Sequence, residues 1–140
     1  MIDVVVEQTN KIPLREFISR CPIGRVPLAF ESVDQYIRWS DQTFTVKVEG
    51  EVACVWGIIR LSILSGEGYL WFLSAEIAEE HKFVLIRRSQ RTIEDLLKMY
   101  TKLIGDCLVT DRKAQRWMRL LGAEFDFPVG DLVPFKIERR

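Results

Sequence analysis

The feature that most narrows the fold is a switch of hydrophobic period within one stretch of chain. From Thr43, apolar residues recur at every second position (Phe44, Val46, Val48), Glu49-Gly50-Glu51 supplies a turn, and Val52 to Leu64 runs back. A second turn, Ser65-Gly66-Glu67-Gly68, leads into Tyr69-Leu70-Trp71-Phe72-Leu73, a strand so apolar that it needs cover on both faces. Three strands in an antiparallel meander follow. The period then lengthens: after Ser74, a suitable N-cap for Ala75-Glu76-Ile77-Ala78, and His81, a longer helix carries Ile86, Ile93, Leu96 or Leu97, and Tyr100 at helical intervals. Asp106 to Val109 is the next strand. A strand, a helical crossover and a strand oblige the second strand to run parallel to the first, so an antiparallel sheet acquires one parallel pair.

The flanks complete an α/β (α+β) chain with helices on both faces of the sheet. Ile2 to Val6 suit a first strand; Pro13, Leu14, Phe17 and Ile18 suit a helix stopped by Cys21-Pro22; Ser32 and Gln35 form a capping-box pattern for a second short helix to about Ser40. Asp111 caps a helix whose inner face is Ala114, Trp117, Met118 and Leu121, and Gly122 ends it. Phe125, Phe127, the turn Val129-Gly130-Asp131, Phe135 and Ile137 form a last hairpin, with Pro134 suiting an edge. At 140 residues, 48% of them hydrophobic, one domain spanning 1–140 can bury its own core without disulfides or metal.

Several functions are excluded or demoted by composition. Twenty basic against twenty acidic residues do not make a nucleic-acid coat, and nucleic acid is not an expected partner. The longest uncharged apolar run, Val52 to Ile59, is too short to span a bilayer, which points to the cytoplasm rather than a membrane. Cys21, Cys54 and Cys107 lack metal-site spacing and read as buried hydrophobes. A single histidine, His81, cannot build a His-rich metal site, so no metal is expected.

The zero net charge hides an asymmetry, acidic over residues 1–80 and basic over 81–140. A sheet with one parallel pair has a crevice beyond the carboxyl ends of those strands, here Leu73 and Val109. The helix leading away from Leu73 carries Arg87, Arg88, Ser89, Gln90 and Arg91 in its first half. Cations there oppose the helix dipole and become intelligible if an anion such as a diphosphate is bound. The alternative is a solvated face, with Arg91 paired to Asp95.

Residues 69–125 resemble the core of the GNAT superfamily of N-acetyltransferases, and the element order of the whole chain agrees with that fold. The most specific piece is VTDRKAQRWMRLLGAEF at 109–125, similar to the superfamily pattern N-x-x-A-x-x-x-Y-x-x-x-G-F. Asp111, Ala114 and Gly122 fall on Asn, Ala and Gly, while Met118 replaces Tyr and Ala123 replaces Phe. A GNAT-like family of short-tailed bacteriophages, which includes internal virion proteins, is more similar still. Trp71, Leu73 and Ser74 match its end-of-strand motif, Arg87, Arg88, Ser89 and Arg91 follow an R-x-S-R-x-W pattern loosely, and Ala114, Arg116, Trp117, Met118, Leu121 and Gly122 match its last helix.

The resemblance implies acetyl-CoA or CoA as cofactor if the chain is active, with Phe72 and Leu73 offering backbone N–H groups to a thioester carbonyl and Arg87, Arg88, Ser89 and Arg91 meeting phosphate. Ser74 and Glu76 are the catalytic candidates, with Glu79, Glu80 and His81 as further titratable groups nearby. It also implies two losses. Arg87 to Thr92 stands where the superfamily has a glycine-bearing pyrophosphate loop, and Met118 has no proton to give a departing thiolate, leaving Tyr69, Tyr100 or water for that task. The expected function is therefore a phage-type GNAT-fold protein with reduced or no catalysis, a virion or host-interaction component. The alternative is an active acetyl-CoA-dependent N-acetyltransferase acting on a primary amine.

Overall fold

A computed structural model describes residues 4–8, 36–62 and 64–139. The expected helix from Pro13 and the Ser32–Gln35 cap lie outside the described residues. Among the described residues seven strands form one sheet in the order β1-β2-β3-β4-β5-β7-β6: β1 (Val4–Gln8), β2 (Ser40–Val48), β3 (Glu51–Arg60), β4 (Glu67–Ser74), β5 (Lys102–Leu108), β6 (Glu124–Phe125) and β7 (Leu132–Glu138). The helices are α1 (Ile77–Glu80), α2 (Lys82–Met99) and α3 (Arg112–Leu120), preceded by helical residues 36–39.

Strands β1 to β4 pair antiparallel, and the expected parallel pair is β4 with β5. That pairing is short: it runs Glu67↔Lys102, Gly68↔Leu103, Tyr69↔Ile104 and stops. Beyond it, among the described residues, the strand pairing of β5 is with β7 alone, through Leu108↔Leu132. The two strands thus part in mid-course, and the crevice expected at their carboxyl ends opens between Leu70–Ser74 and Gly105–Leu108. Pro134 sits in β7 beside Asp126, past the end of β6, where its missing N–H leaves no strand neighbour unpaired.

Parity along β4 decides what each face holds. Leu70, with Ile58 of β3 and Leu103 and Cys107 of β5, packs against Ile93, Leu96 and Leu97 of α2 and Met118 and Leu121 of α3. Trp71 and Leu73 point the other way, packing with Val55, Tyr36 and Ile37. At roughly 25 cal/mol per Å2 of apolar surface, burial of this kind is the main source of stability. Asp111 caps α3 as its sequence predicts, accepting from the Ala114 N–H at 3.1 Å, and Gly122 ends it at φ 101°, a backbone conformation that glycine adopts without strain. Ser74 is not a cap: it is the last residue of β4, and α1 begins at Ile77 behind Glu76 with no side-chain cap.

Candidate functional site

The strand opening is built by the hydrogen-bonding parity of β4. Ala75 N–H donates to Ala53 C=O at 2.8 Å and Leu61 N–H to Glu67 C=O at 3.0 Å. Both bonds fall on odd-numbered partners of the β3–β4 register. The odd residues of β4 therefore bond β3, and the main-chain groups of Leu70, Phe72 and Ser74 turn toward β5. Pairing with β5 having ended at Tyr69, the Phe72 and Ser74 N–H groups face the opening with no strand partner among the described residues. Of the two amides expected to polarise a carbonyl, Phe72 is so placed, whereas Leu73 is turned toward β3.

On the helical side of the sheet, Cys54, Trp56, Leu70, Phe72 and Ser74 form the floor of a pocket walled by Glu79, Ser89, Thr92 and Ile93 on one side and Ala114, Trp117, Met118 and Leu121 on the other. Its enclosed space is about 60 Å3, enough for a few waters or one thin chain. The lining is mostly apolar. Phe44, Trp56 and Phe72 are neighbours across three strands, and Phe44 stacks on Trp56 at 4.1 Å. Burial pushes the Cys54 thiol up to about 12, so it is a neutral wall group and no nucleophile at neutral pH. Cys107 is buried and pushed up to about 12 by burial and then by Asp111 and Asp106, in keeping with the sequence reading of it as a buried hydrophobe, whereas Cys54 is half-buried at the pocket; Cys21 lies outside the described residues.

The other expected site residues divide. Ser74 lines the pocket, Glu76 is exposed at the start of α1, and of the further acids Glu79 lines the pocket while Glu80 is exposed. Arg87 to Thr92 is no loop but the interior of α2, so its backbone N–H groups are committed to intrahelical bonds. At about 100° per residue the helix also disperses the side chains. Arg87 and Arg91 share the exposed face, Ser89 turns into the pocket, Arg88 donates to the Val4 C=O of β1 at 3.2 Å, and Gln90 reaches the Leu120 C=O at 3.0 Å on the opposite flank. The four expected phosphate ligands do not converge on one point. Met118 is 4% exposed in the core and has no acid role. Tyr100 is buried beside Gly68, at the far end of β4, its OH on Asp41 Oδ2 at 3.2 Å beneath Arg60. Among the described residues no group of three His, Cys, Asp or Glu side chains could hold a metal, and no described helix is long and apolar enough to cross a membrane.

One constellation escapes a reading by motif. On the face away from α2 and α3, the Tyr69 OH donates to Asp106 Oδ2 at 2.8 Å, tying β4 to β5 immediately past their last paired residues. Tyr36 stands edge-on to Tyr69 at 5.7 Å and 87°. The Tyr69 phenol is raised well above the usual range by burial, then by the Asp106 carboxylate and the Tyr36 phenol, so it stays a donor. Tyr69 was legible as a candidate acid; its partner, 37 residues away, depends on the strand register.

The chain, whose sheet carries one parallel pair among the described residues, aligns over nearly its whole length with solved structures. The fold is that of the GNAT acetyltransferases. The chain is similar to a Bacillus subtilis acetyltransferase solved in complex with CoA (TM-score 0.74, 12% identity, covering 99% of this chain and 100% of that one). It is also similar to the GNAT domain of PAT from S. lividans (TM-score 0.71, 10% identity, 96% and 89%). A chimera of the spermidine N-acetyltransferase from Vibrio cholerae and hSSAT aligns over 96% of this chain and 95% of its own (TM-score 0.69, 12% identity). No family model matches the sequence, and no curated protein matches it. The shared GNAT architecture accords with the sequence resemblance; the finer likeness to phage virion proteins gains nothing from these neighbours.

Proposed function

We propose that the chain is an N-acyltransferase that moves an acetyl group from acetyl-CoA to a primary amine. The observation that carries this is the pair of β4 amides, Phe72 and Ser74, that have no strand partner among the described residues and stand above an apolar pocket between α2 and α3. A thin aliphatic arm fits that pocket, and the free amides suit a carbonyl and amide groups lying alongside β4. The phosphate end fits less fully: Arg87 and Arg91, four apart on one exposed face, are the side chains available to it. Acetyl-CoA supplies an acyl carbonyl activated as a thioester. The chain's part is to align that carbonyl with the Phe72 N–H, whose hydrogen bond strengthens as negative charge develops on the oxygen. The apolar walls formed by Trp56, Leu70 and Met118 exclude water that would hydrolyse the thioester. Overall the amine nitrogen gains the acyl carbon, the C–S bond breaks, and the proton lost by the amine balances the one gained by the thiolate.

Calorimetric titration with CoA and acetyl-CoA, beside the Arg87→Ala plus Arg91→Ala double variant and a thiol-release assay with simple amines, tests this reading. Micromolar binding, weakened at least tenfold in the double variant, and thiol release dependent on an amine are expected. No heat at millimolar ligand overturns it. A second reading, a GNAT-shaped phage virion or host-interaction component with reduced catalysis, is favoured by one feature: Met118 is buried in the core where the superfamily pattern places a tyrosine. That reading expects no CoA heat and capture of the chain with phage particles.

A further inference from the structure

The pocket accounts for the helical side of the strand opening and leaves its other side without a role. There Asp106 lies half-buried on β5, two residues beyond the last parallel pair, on the same face as Tyr69. Its Oδ2 accepts the Tyr69 OH at 2.8 Å. Among the described residues no Lys, Arg or His makes an ion pair with it. A phenol donates a hydrogen bond without neutralising charge, so among the described residues this carboxylate at the opening has no counter-cation and its Oδ1 has no hydrogen-bond partner. A half-buried carboxylate in that state attracts a cation more strongly than a fully solvated one does. From it an aromatic surface runs outward: Tyr69, Tyr36 edge-on to it, then Trp39 with centroid 6.4 Å from Tyr36 and 60% exposed. Aromatic faces of this kind attract an ammonium head, and faces and edges alike cover an alkyl stem.

We propose that Asp106 is the specificity-determining residue for the acyl acceptor, holding the ammonium of an alkylamine at the β4–β5 opening while Tyr36 and Trp39 cover its alkyl stem. This rests on the acyltransferase reading and deepens it by assigning the two reactants to opposite faces of one sheet. Tyr69 is a positioning residue: its hydrogen bond fixes one carboxylate oxygen and leaves the other to the cation. Asp106 is a binding group; the ammonium it holds has no lone pair, so that nitrogen releases one proton to solvent before attack, and the net products are the amide, the CoA thiol and one proton.

The test is binding of n-butylammonium, followed by ligand-observed NMR with and without saturating CoA, to the wild-type chain and to Asp106→Asn, Asp106→Glu and Tyr69→Phe. Asparagine keeps the shape and can still accept from Tyr69, so an unchanged thermal melt separates loss of charge from loss of fold. Expected is a tenfold to hundredfold weaker affinity in Asp106→Asn, on the scale of a charge-assisted hydrogen bond, partial recovery in Asp106→Glu, and a loss of only a few-fold in Tyr69→Phe. In turnover, KM for butylamine should rise while kcat changes little. Equal butylammonium affinity in wild type and Asp106→Asn overturns the proposal, as does absence of binding to the wild-type chain. CoA binding is read in the same samples: if CoA fails to bind while butylammonium binding still depends on Asp106, the acyltransferase reading falls and the cation site stands.

Discussion

The two faces of the sheet at the strand opening are made by the same few residues of β4 and could hardly differ more. On the helical face, Leu70 and Phe72 meet Trp56, Ile93 and Met118, an apolar lining closed by two helices. On the opposite face, Tyr69 and Trp71 each spend a polar hydrogen, on Asp106 at 2.8 Å and on Ser40 Oγ at 2.8 Å. Buried Thr43 and Thr45 lie on that same side. No buried side-chain polar atom among the described residues lacks a partner. Alternation along a strand thus puts an apolar slot and a charged, hydrogen-bonded surface a sheet's thickness apart, joined only where β4 and β5 separate. The proposed reaction, between a thioester arm and a cationic amine, places one reactant on each face.

Alkali should test both faces at once and most strongly. Folded Cys54 and Cys107 hold their protons to about 12 against an ordinary 9.0, and the Tyr69 phenol is raised as well. Above pH 9 the unfolded chain releases thiol protons that the folded chain keeps, so this stability is complete below about pH 9 and declines as pH rises toward 12. Urea titrations from pH 7 to 11 should show a loss on the order of a few kcal/mol. A flat profile to pH 11 would mean that both thiols are solvated, and the helical face would lose its description as dry.

Gly105→Val tests the junction between the faces. A Cβ there would stand 2.6 Å from the Leu70 carbonyl oxygen and 2.5 Å from the Phe135 ring, and a backbone oxygen cannot step aside. We expect destabilisation of about 3 kcal/mol, measured by chemical denaturation. Leu70→Ala against Trp71→Phe then compares adjacent residues on opposite faces. The first empties a core site and should cost about 3 kcal/mol; the second removes one hydrogen bond and part of a ring and should cost about 2 kcal/mol. Equal and negligible losses would erase the contrast.

The sequence carried much of this contrast and stopped at identifiable places. The change of period located the meander and the crossover, and with them the parallel pair, because chain connectivity leaves no other direction for β5. Asp111 and Gly122 were readable because helix ends have local chemistry. The start of β5 was read too late, at Asp106 rather than Lys102: Lys102, Gly105 and Asp106 blur the alternation of a strand covered on both faces. The arginines of α2 looked like one cluster because they are contiguous, yet contiguity in a helix means dispersal over its circumference. Asp106 as partner of Tyr69 was out of reach, since it depends on a register fixed by β-sheet pairing and not by anything near either residue.

The smallest effect is the most discriminating. Asp111 accepts from the Ala114 N–H at 3.1 Å at the start of α3, which has no acidic residue in its first turn. Asp111→Ala should cost about 1 kcal/mol, with Asp111→Asn recovering most of it, and should speed amide exchange in the first turn of α3. Because α3 supplies Ala114, Trp117 and Met118 to the pocket wall and nothing described to the Tyr69–Asp106 face, CoA affinity should fall a few-fold while butylammonium affinity stays unchanged. If both fall together, the faces communicate through the strand opening and are not independent sites; if only the cation affinity falls, the assignment of reactants to faces is reversed.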